Sequence, residues 1–140
     1  MLKKLMLAAF AVVMSISIAG CGPTVKEKAE NNAARANAKI TEMDEVAQLL
    51  FYEGVYVYER AGYEGSSHAK SINKLDAMSS EDRALTIERL TKFADLANEA
   101  IAYGSAENVQ LRGKETIAGA AKLAAKLASE AREIQSRKND

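Results

Sequence analysis

The sequence predicts an all-α protein, a small antiparallel bundle of three long helices and one short helix that follows an N-terminal leader. Alanine is abundant, the 140 residues contain one proline, and apolar residues recur every three or four positions over long stretches. The glycines lie mostly where these stretches end, as expected of residues that terminate helices. Short loops between long helices favour antiparallel neighbours.

The first long helix is predicted from Lys39 to Ala61, where small and apolar residues recur at helical spacing. Val55 to Tyr58 also has the β-branched and aromatic composition of a strand, so helix and strand both stay open there. Residues 21–38 are predicted to form a polar tether, because they offer few large apolar side chains to bury. Their alanines favour helix, so a solvated helical extension from Lys26 is the alternative form of this tether.

A loop is predicted at Gly62–His68, which contains two glycines and two serines, and a short helix at Ala69–Met78. The next helix is expected to begin after Ser79, which has the spacing of a capping box with Asp82. In that motif the serine oxygen accepts a hydrogen bond from an orphan backbone amide. Gly104 is expected to end this helix.

The last helix is predicted from Leu111 or Lys114 to Ser136. Ile117 and four alanines form one narrow stripe along it, and small side chains let a neighbouring helix approach closely. No long internal repeat divides the chain. The bundle is therefore expected to be one domain at residues 39–140.

The first twenty residues have the order of an export signal. Lys3 and Lys4 form a short basic region, and Leu5 to Ile18 is apolar except for two serines. This run is short for a membrane span and has the flanks of a cleaved signal. Small residues then lead to the one cysteine, in the tetrapeptide Ile18-Ala19-Gly20-Cys21.

This tetrapeptide resembles the lipobox of bacterial lipoproteins. The resemblance implies a diacylglyceryl group on the Cys21 sulfur, cleavage between Gly20 and Cys21, and an acyl chain on the new amino terminus. Each buried methylene contributes roughly 0.8 kcal/mol, so two or three chains anchor far more firmly than one. The chain would then comprise a signal peptide at 1–20, a lipidated tether at 21–38 and the bundle. The alternative is an ordinary secretory leader followed by a chance cysteine.

Charge and composition narrow the possible partners. The chain has 19 basic and 19 acidic residues, and removal of the two leader lysines leaves 17 basic side chains and a net charge of −2. This near-neutral balance argues against nucleic-acid binding and against electrostatic docking on anionic lipids. The chain has one histidine, His68, and its one cysteine would be acylated, so few metal-binding side chains remain. We therefore expect it to bind no metal and no cofactor apart from its acyl chains.

Five of the eight aromatic residues lie within thirteen positions: Phe51, Tyr52, Tyr56, Tyr58 and Tyr63. On a continuous helix they would give a segment that is apolar on two sides, which is either central in the bundle or half covered by a partner. Tyrosine suits partner contacts because its body is apolar and its tip is polar. We therefore predict these five as partner-binding residues, with core packing as the alternative.

No catalytic residues are predicted. Ser66-Ser67-His68 contains a hydroxyl and an imidazole, but adjacent loop residues rarely form a nucleophile–base pair, and a polar turn is the simpler interpretation. Glu53 interrupts an apolar run, where a buried carboxylate would have a raised pKa, but helical spacing places it on the solvent face. The cluster of Glu42, Asp44 and Glu45 is interpreted as a solvated face.

The expected function is that of a non-enzymatic lipoprotein whose bundle binds another envelope protein. Such a protein would be an assembly helper, as pilotins are, or an exclusion or immunity lipoprotein. The alternative is a carrier of an apolar ligand in a cavity between helices. Because Gly22 is not aspartate, the resemblance implies the periplasmic face of the outer membrane; a Gram-positive source would imply the outer face of the cytoplasmic membrane.

Overall fold

Four helices make up most of the described protein. The computed structural model describes residues 14–16, 23–58, 64–106 and 109–139. The helices are α1 at Pro23–Tyr52, α2 at Glu64–Ala77, α3 at Ser80–Gly104 and α4 at Lys114–Asn139, and the strands β1 at Met14–Ile16 and β2 at Val109–Leu111 pair antiparallel. α1, α3 and α4 are long, at 30, 25 and 26 residues, whereas α2 has 14. The predicted all-α fold of three long helices and one short helix is confirmed.

The central helix of the bundle is α3, which packs against α1 on one side and α4 on the other. On the α1 side, the Arg35 guanidinium lies 5.7 Å from the centre of the Tyr103 ring, and Lys39 Nζ lies 2.8 Å from Glu99 Oε2. Residue numbers therefore rise along α1 as they fall along α3, and the two helices are antiparallel.

The pairing of α3 with α4 is antiparallel as well. Arg132 Nη2 donates a hydrogen bond to Thr91 Oγ1 at 2.9 Å, and Gln135 Nε2 donates one to the Ser80 carbonyl at 2.8 Å. The second of these bonds joins the start of α3 to the end of α4. Both contacts lie near the end of α4, and the buried alanines of α4 precede them along the helix.

The short helix α2 lies against α4 and runs parallel to it. Near the start of α2, His68 Nε2 lies 3.2 Å from Glu130 Oε2, and near its end Lys138 Nζ lies 3.3 Å from Asp76 Oδ1. Residue numbers rise together along both helices. This orientation follows from the short α2–α3 turn, which reverses the chain, and from the antiparallel α3–α4 pair.

The core is apolar and rich in alanine. Small side chains at the helix contacts let the backbones approach, and larger ones fill the space between the helices. The largest fully buried apolar side chains are Phe93, Met43, Leu50, Leu75, Leu90, Ile117, Leu127 and Val55. The tight packing predicted for the last helix is seen in its buried alanines, Ala120, Ala121, Ala124, Ala128 and Ala131.

The structure places the start of α1 well before the predicted Lys39. The helix begins at Pro23, a residue that is favoured at the first helical position because it lacks an amide hydrogen. Ala29, Ala33 and Ala36 repeat at helical spacing and are buried. The helix agrees with the predicted helical extension from Lys26, but its alanine face is buried and not solvated. Alanine buries little area itself, yet it allows close packing, which a search for large apolar residues overlooks.

The end of α1 also differs from the prediction, because the helix stops at Tyr52 and does not continue to Ala61. Gly54 adopts a left-handed φ of 81°. The Gly54 amide donates to the Phe51 carbonyl at 3.0 Å, and the Val55 amide donates to the Leu50 carbonyl at 2.9 Å. This is the Schellman pattern, in which a glycine satisfies the last helical carbonyls.

After this turn, the described residues 55–58 form neither helix nor strand. Val55 and Val57 are buried, and Tyr56 between them is half-buried. Such alternation is typical of an extended chain. Both predicted forms were therefore wrong for residues 55–58, which pack as an extended chain.

The remaining boundaries agree better with the predictions. α2 begins at Glu64, so the predicted loop at Gly62–His68 was wrong from residue 64 onward. Ser79 is the N-cap of α3, and its Oγ accepts the Asp82 amide at 3.2 Å, as predicted. Gly104 ends α3, also as predicted.

None of the helices among residues 23–52, 64–77, 80–104 and 114–139 has the length and apolar character needed to cross a bilayer.

Candidate functional site

Gly20 and Cys21, the predicted cleavage and lipidation residues, lie outside the described residues. What the structure places is the segment that follows them. α1 begins at Pro23, two residues after Cys21, and continues without a break to Tyr52. A lipid on Cys21 would therefore be joined to a rigid helix of 30 residues, which is about 45 Å long.

The predicted aromatic group does not form one helical face. Phe51 and Tyr52 lie in the last turn of α1, and Tyr56 and Tyr58 lie on the extended segment that follows it. Tyr63 lies outside the described residues. The turn at Gly54 separates the two pairs, so each aromatic residue has to be considered by its own contacts.

Tyr58 contributes to the core. Its ring stands edge-on to Phe93, with centroids 5.7 Å apart and an interplanar angle of 85°. Its hydroxyl donates a hydrogen bond to Asp44 Oδ1 at 3.3 Å. Burial, followed by the neighbouring Asp44 carboxyl, raises the pKa of the Tyr58 hydroxyl. The alternative of core packing therefore describes Tyr58 better than partner contact does.

Asp44 is partly buried with Tyr58, whereas its neighbours Glu42 and Glu45 are exposed. Burial raises the pKa of the Asp44 carboxyl to about 6, and the hydrogen bond from Tyr58 opposes this rise. The interpretation of these acids as one solvated face was wrong for Asp44. Its position one turn before Ala47 and Gln48, between the buried Met43 and Val46, is the signal that sequence reasoning missed.

Substituting Asp44 with asparagine should stabilise the protein at pH 7 by about 1 kcal/mol, a figure reduced for partial exposure of the carboxyl. The folded pKa lies above the ordinary value of 3.8, so the neutral carboxyl favours the folded state fully below pH 4. That contribution is lost as the pH rises through about 6. The asparagine side chain keeps an acceptor for the Tyr58 hydroxyl and carries no charge.

The free energy of unfolding in urea, measured from pH 4 to pH 7, checks this prediction. The variant should lack a downward slope that the unmodified protein shows between pH 4 and pH 6. Glu45→Gln, an exposed acid on the same helix, is the control and should keep the slope. Identical slopes for the unmodified protein and Asp44→Asn would contradict the prediction.

Phe51 and Tyr56 form a half-buried pair, with ring centroids 5.4 Å apart and an interplanar angle of 68°. The Tyr56 amide donates to Ser71 Oγ at 2.9 Å, and Ser71 Oγ donates to the Ser67 carbonyl at 3.0 Å. Ser71 is completely buried, so this bond fixes the extended segment to α2. Tyr56 is thus held in place through its backbone while part of its ring remains accessible.

Tyr52 is the most exposed of the described aromatic residues. Its side chain is 54% exposed, and that of Leu49, one turn earlier, is 46% exposed. Gln48 Nε2 donates to the Tyr52 hydroxyl at 3.0 Å, which orients the ring along the helix surface. We call these two side chains the Leu49–Tyr52 patch. Among the described residues, the other large exposed apolar side chain is Leu85 on α3, at 44%.

The residues considered for catalysis lie in the turn after α1 and in the first turns of α2. Glu53 is exposed in the turn after α1, as the helical spacing predicted. Ser66 and Ser67 lie in the first turns of α2, and the Ser67 carbonyl accepts a hydrogen bond from Ser71. The described residues hold no group of three or more histidine, cysteine, aspartate or glutamate side chains that could bind a metal ion.

His68 faces a shallow groove between α2 and α4. Its Nε2 lies within ion-pair distance of Glu130 Oε2, yet neither Glu130 Oε2 nor His68 Nδ1 has a hydrogen-bond partner with good geometry. The short distance shows proximity, and the poor geometry shows that this is no strong hydrogen bond. The pair becomes a salt bridge when His68 is protonated.

Arg83 was not singled out by the sequence reasoning, although it is the largest fully buried side chain, at 1% exposure. Its Nε donates to the Leu75 carbonyl at 2.7 Å, and its Nη1 donates to Gln135 Oε1 at 2.6 Å. Its Nη2 donates to the carbonyls of Asp76, at 3.2 Å, and of Met78. One guanidinium thus donates hydrogen bonds to carbonyls at and just after the C-terminal end of α2. A positive charge at this end also interacts favourably with the helix dipole.

The pockets among the described residues are small or open. The pocket beside Tyr58 has a volume of about 200 Å³ and is lined by Val57, Tyr58, Thr116, Gly119, Ala120 and Leu123. Ligand sites commonly have roughly 300–1,000 Å³. A larger groove of about 560 Å³ is lined mostly by charged and polar side chains of α1, α3 and α4. Neither has the enclosed apolar shape expected of a carrier.

Comparison with known proteins gives no family for the chain. No protein-family model matches it, and no match was found among curated proteins or among solved structures.

Proposed function

We propose that the chain is a lipid-anchored envelope protein whose helical bundle binds another protein and catalyses no reaction. The lipobox-like tetrapeptide supports the anchor. The Leu49–Tyr52 patch supports the protein contact, because it is apolar, exposed and carries a polar tip in the Tyr52 hydroxyl. The proposed location is the periplasmic face of the outer membrane.

One observation carries this proposal: a single helix connects the two features. α1 begins two residues after Cys21 and carries the Leu49–Tyr52 patch in its last turn. From Pro23 to Leu49 a helix rises about 40 Å. If the helix stands away from the bilayer, the anchor and the patch lie at opposite ends of the bundle, and the patch faces the periplasm.

The distribution of apolar surface favours binding of a partner protein over transport of an apolar ligand. The core between the helices is filled with alanines and a few large side chains. Among the described residues, the large apolar side chains that remain exposed lie on the outside, at Leu49 and Tyr52 on α1 and at Leu85 on α3. An assembly helper and an exclusion or immunity lipoprotein both fit this proposal, since each acts by binding a protein in the envelope.

Site-specific photo-crosslinking tests the proposed contact. A benzoylphenylalanine at position 52 should crosslink one protein in cells, whereas the same group at position 85 should not. Leu85 is the matched control because its exposure resembles that of Leu49 and it lies on α3. Equal crosslinking from both positions, or none from position 52, would contradict the proposal.

Leu49→Ala combined with Tyr52→Ala should weaken binding of the crosslinked partner at least tenfold, since a central aromatic anchor contributes about 2 kcal/mol or more. The fold should be retained, because exposed substitutions change stability by about 0.5 kcal/mol or less. Affinity measured by titration with the purified partner, together with helical circular dichroism, checks both statements. Leu85→Ala should leave the affinity unchanged.

A further inference from the structure

The partner of strand β2 lies in the part of the chain that lipobox cleavage would remove. β1 pairs antiparallel with β2 in the register Met14 to Leu111, Ser15 to Gln110 and Ile16 to Val109. β1 also contacts α1. Cleavage before Cys21 separates β1 from the bundle, whereas β2 stays in it between α3 and α4.

We propose that the exposed edge of β2 in the mature protein binds an extended segment of a partner protein, which adds as an antiparallel strand in the position that β1 holds in the precursor. This inference rests on the proposed function, because it requires cleavage of the leader. The leader shows the chemistry that the site accepts: an extended backbone with an apolar, a small polar and an apolar residue in succession.

β2 also has contacts of its own with α1 and α3. Leu111 is buried against the end of α3, where Gly104 leaves room for it. A β-carbon at position 104 would lie 2.7 Å from Leu111 Cβ, so a glycine is needed there. The Val109 amide donates to the Ala106 carbonyl at 3.1 Å, and Gly113, with φ of 77°, turns the chain into α4.

A strand that has lost its neighbour presents the backbone groups that this neighbour had paired, whereas the Val109 amide stays bonded to the Ala106 carbonyl. Such an edge accepts another chain by main-chain hydrogen bonds, and alternate side chains give specificity. β2 contributes the half-buried Val109 and the buried Leu111 on alternate positions. A partner with apolar residues two positions apart matches them across the pair.

Peptide binding to the mature, acylated protein in detergent micelles tests the proposal. The probe is a labelled peptide with the sequence of residues 11–18, Ala-Val-Val-Met-Ser-Ile-Ser-Ile. We expect saturable binding and slower amide hydrogen exchange at residues 109–111 when the peptide is present. A control peptide with proline in place of Ser15 should bind at least tenfold more weakly, because proline removes an amide donor and disrupts the strand.

The precursor provides the second control. A Cys21→Ser chain that retains its leader should not bind the peptide, because β1 occupies the edge. Absence of binding by a mature protein whose mass proves cleavage would overturn this inference and leave the proposed function standing. A retained leader in the native protein would instead overturn the proposed function. Self-association of the mature protein through residues 109–111 would also overturn the inference, since a second copy would then be the occupant.

Discussion

Replacing Arg83 with methionine should lower the free energy of unfolding by about 3 kcal/mol. Methionine fills much of the same volume but donates no hydrogen bond. The Met78 carbonyl and the Gln135 side chain would then lose this donor. The Leu75 carbonyl would keep only the Met78 amide, at 3.4 Å, and the Asp76 carbonyl would keep only Lys138 Nζ, at 2.6 Å. The loss should be greatest for α2, because Leu75 and Asp76 lie in its last turn and Met78 directly follows it.

Urea unfolding measures the change in free energy, and amide hydrogen exchange locates it. Exchange should accelerate in α2 by more than in α1. Arg83→Lys should recover part of the stability, because one ammonium keeps the charge but cannot span all four acceptors. Arg112→Met, at an exposed position, is the control and should change stability by about 0.5 kcal/mol or less. A loss below about 1 kcal/mol for Arg83→Met, within the range of ordinary substitutions, would contradict this role.

The second large effect concerns the anchor. Exporting the chain under an ordinary secretory leader, with Cys21→Ser at the start of the mature part, should move the protein from the membrane fraction to the soluble fraction. Under the proposed function the acyl chains supply the attachment, and a serine at position 21 has no thiol to carry the diacylglyceryl group. The helical circular dichroism should be unchanged, because Cys21 precedes the bundle.

Fractionation of cells that produce each form measures this effect. The same secretory leader followed by an intact lipobox and Cys21 is the matched control, and it should restore membrane association. A Cys21→Ser protein that still sediments with membranes and resists high salt would show that another part of the chain provides the attachment.

The helices were predictable where a local signal decides the structure. The capping-box spacing of Ser79 and Asp82 predicts the start of α3, and Gly104 predicts its end. At Gly104, however, the physical reason lies elsewhere, since the glycine accommodates Leu111 from a later strand. The sequence identified the residue correctly and could not reveal the contact that requires it.

The errors in α1 have two different causes. The packing of α1 before Lys39 was missed because alanine gives a weak apolar signal, although Ala29, Ala33 and Ala36 are buried. The early end was missed because small and apolar residues recur at helical spacing both before and after Gly54. The glycine followed by a valine is the local signature of the Schellman turn and favours an end there.

The partners of the buried polar groups could not be predicted from the sequence. Arg83 lies on the same helical stripe as Leu90, Phe93 and Ala97, and a charge on an apolar stripe is the sign that it is buried. Its partners come from α2 and from Gln135 on α4, and no local pattern joins those positions. Asp44 and Tyr58 likewise meet because the turn at Gly54 folds the chain back.

Intact-mass and peptide mass spectrometry of the protein purified from membranes tests the central claim most directly. The account predicts a mature chain that begins at Cys21, with a diacylglyceryl group on its sulfur and an acyl chain on its amino terminus. A chain that retains residues 1–20, or one that carries a free thiol at Cys21, would contradict it.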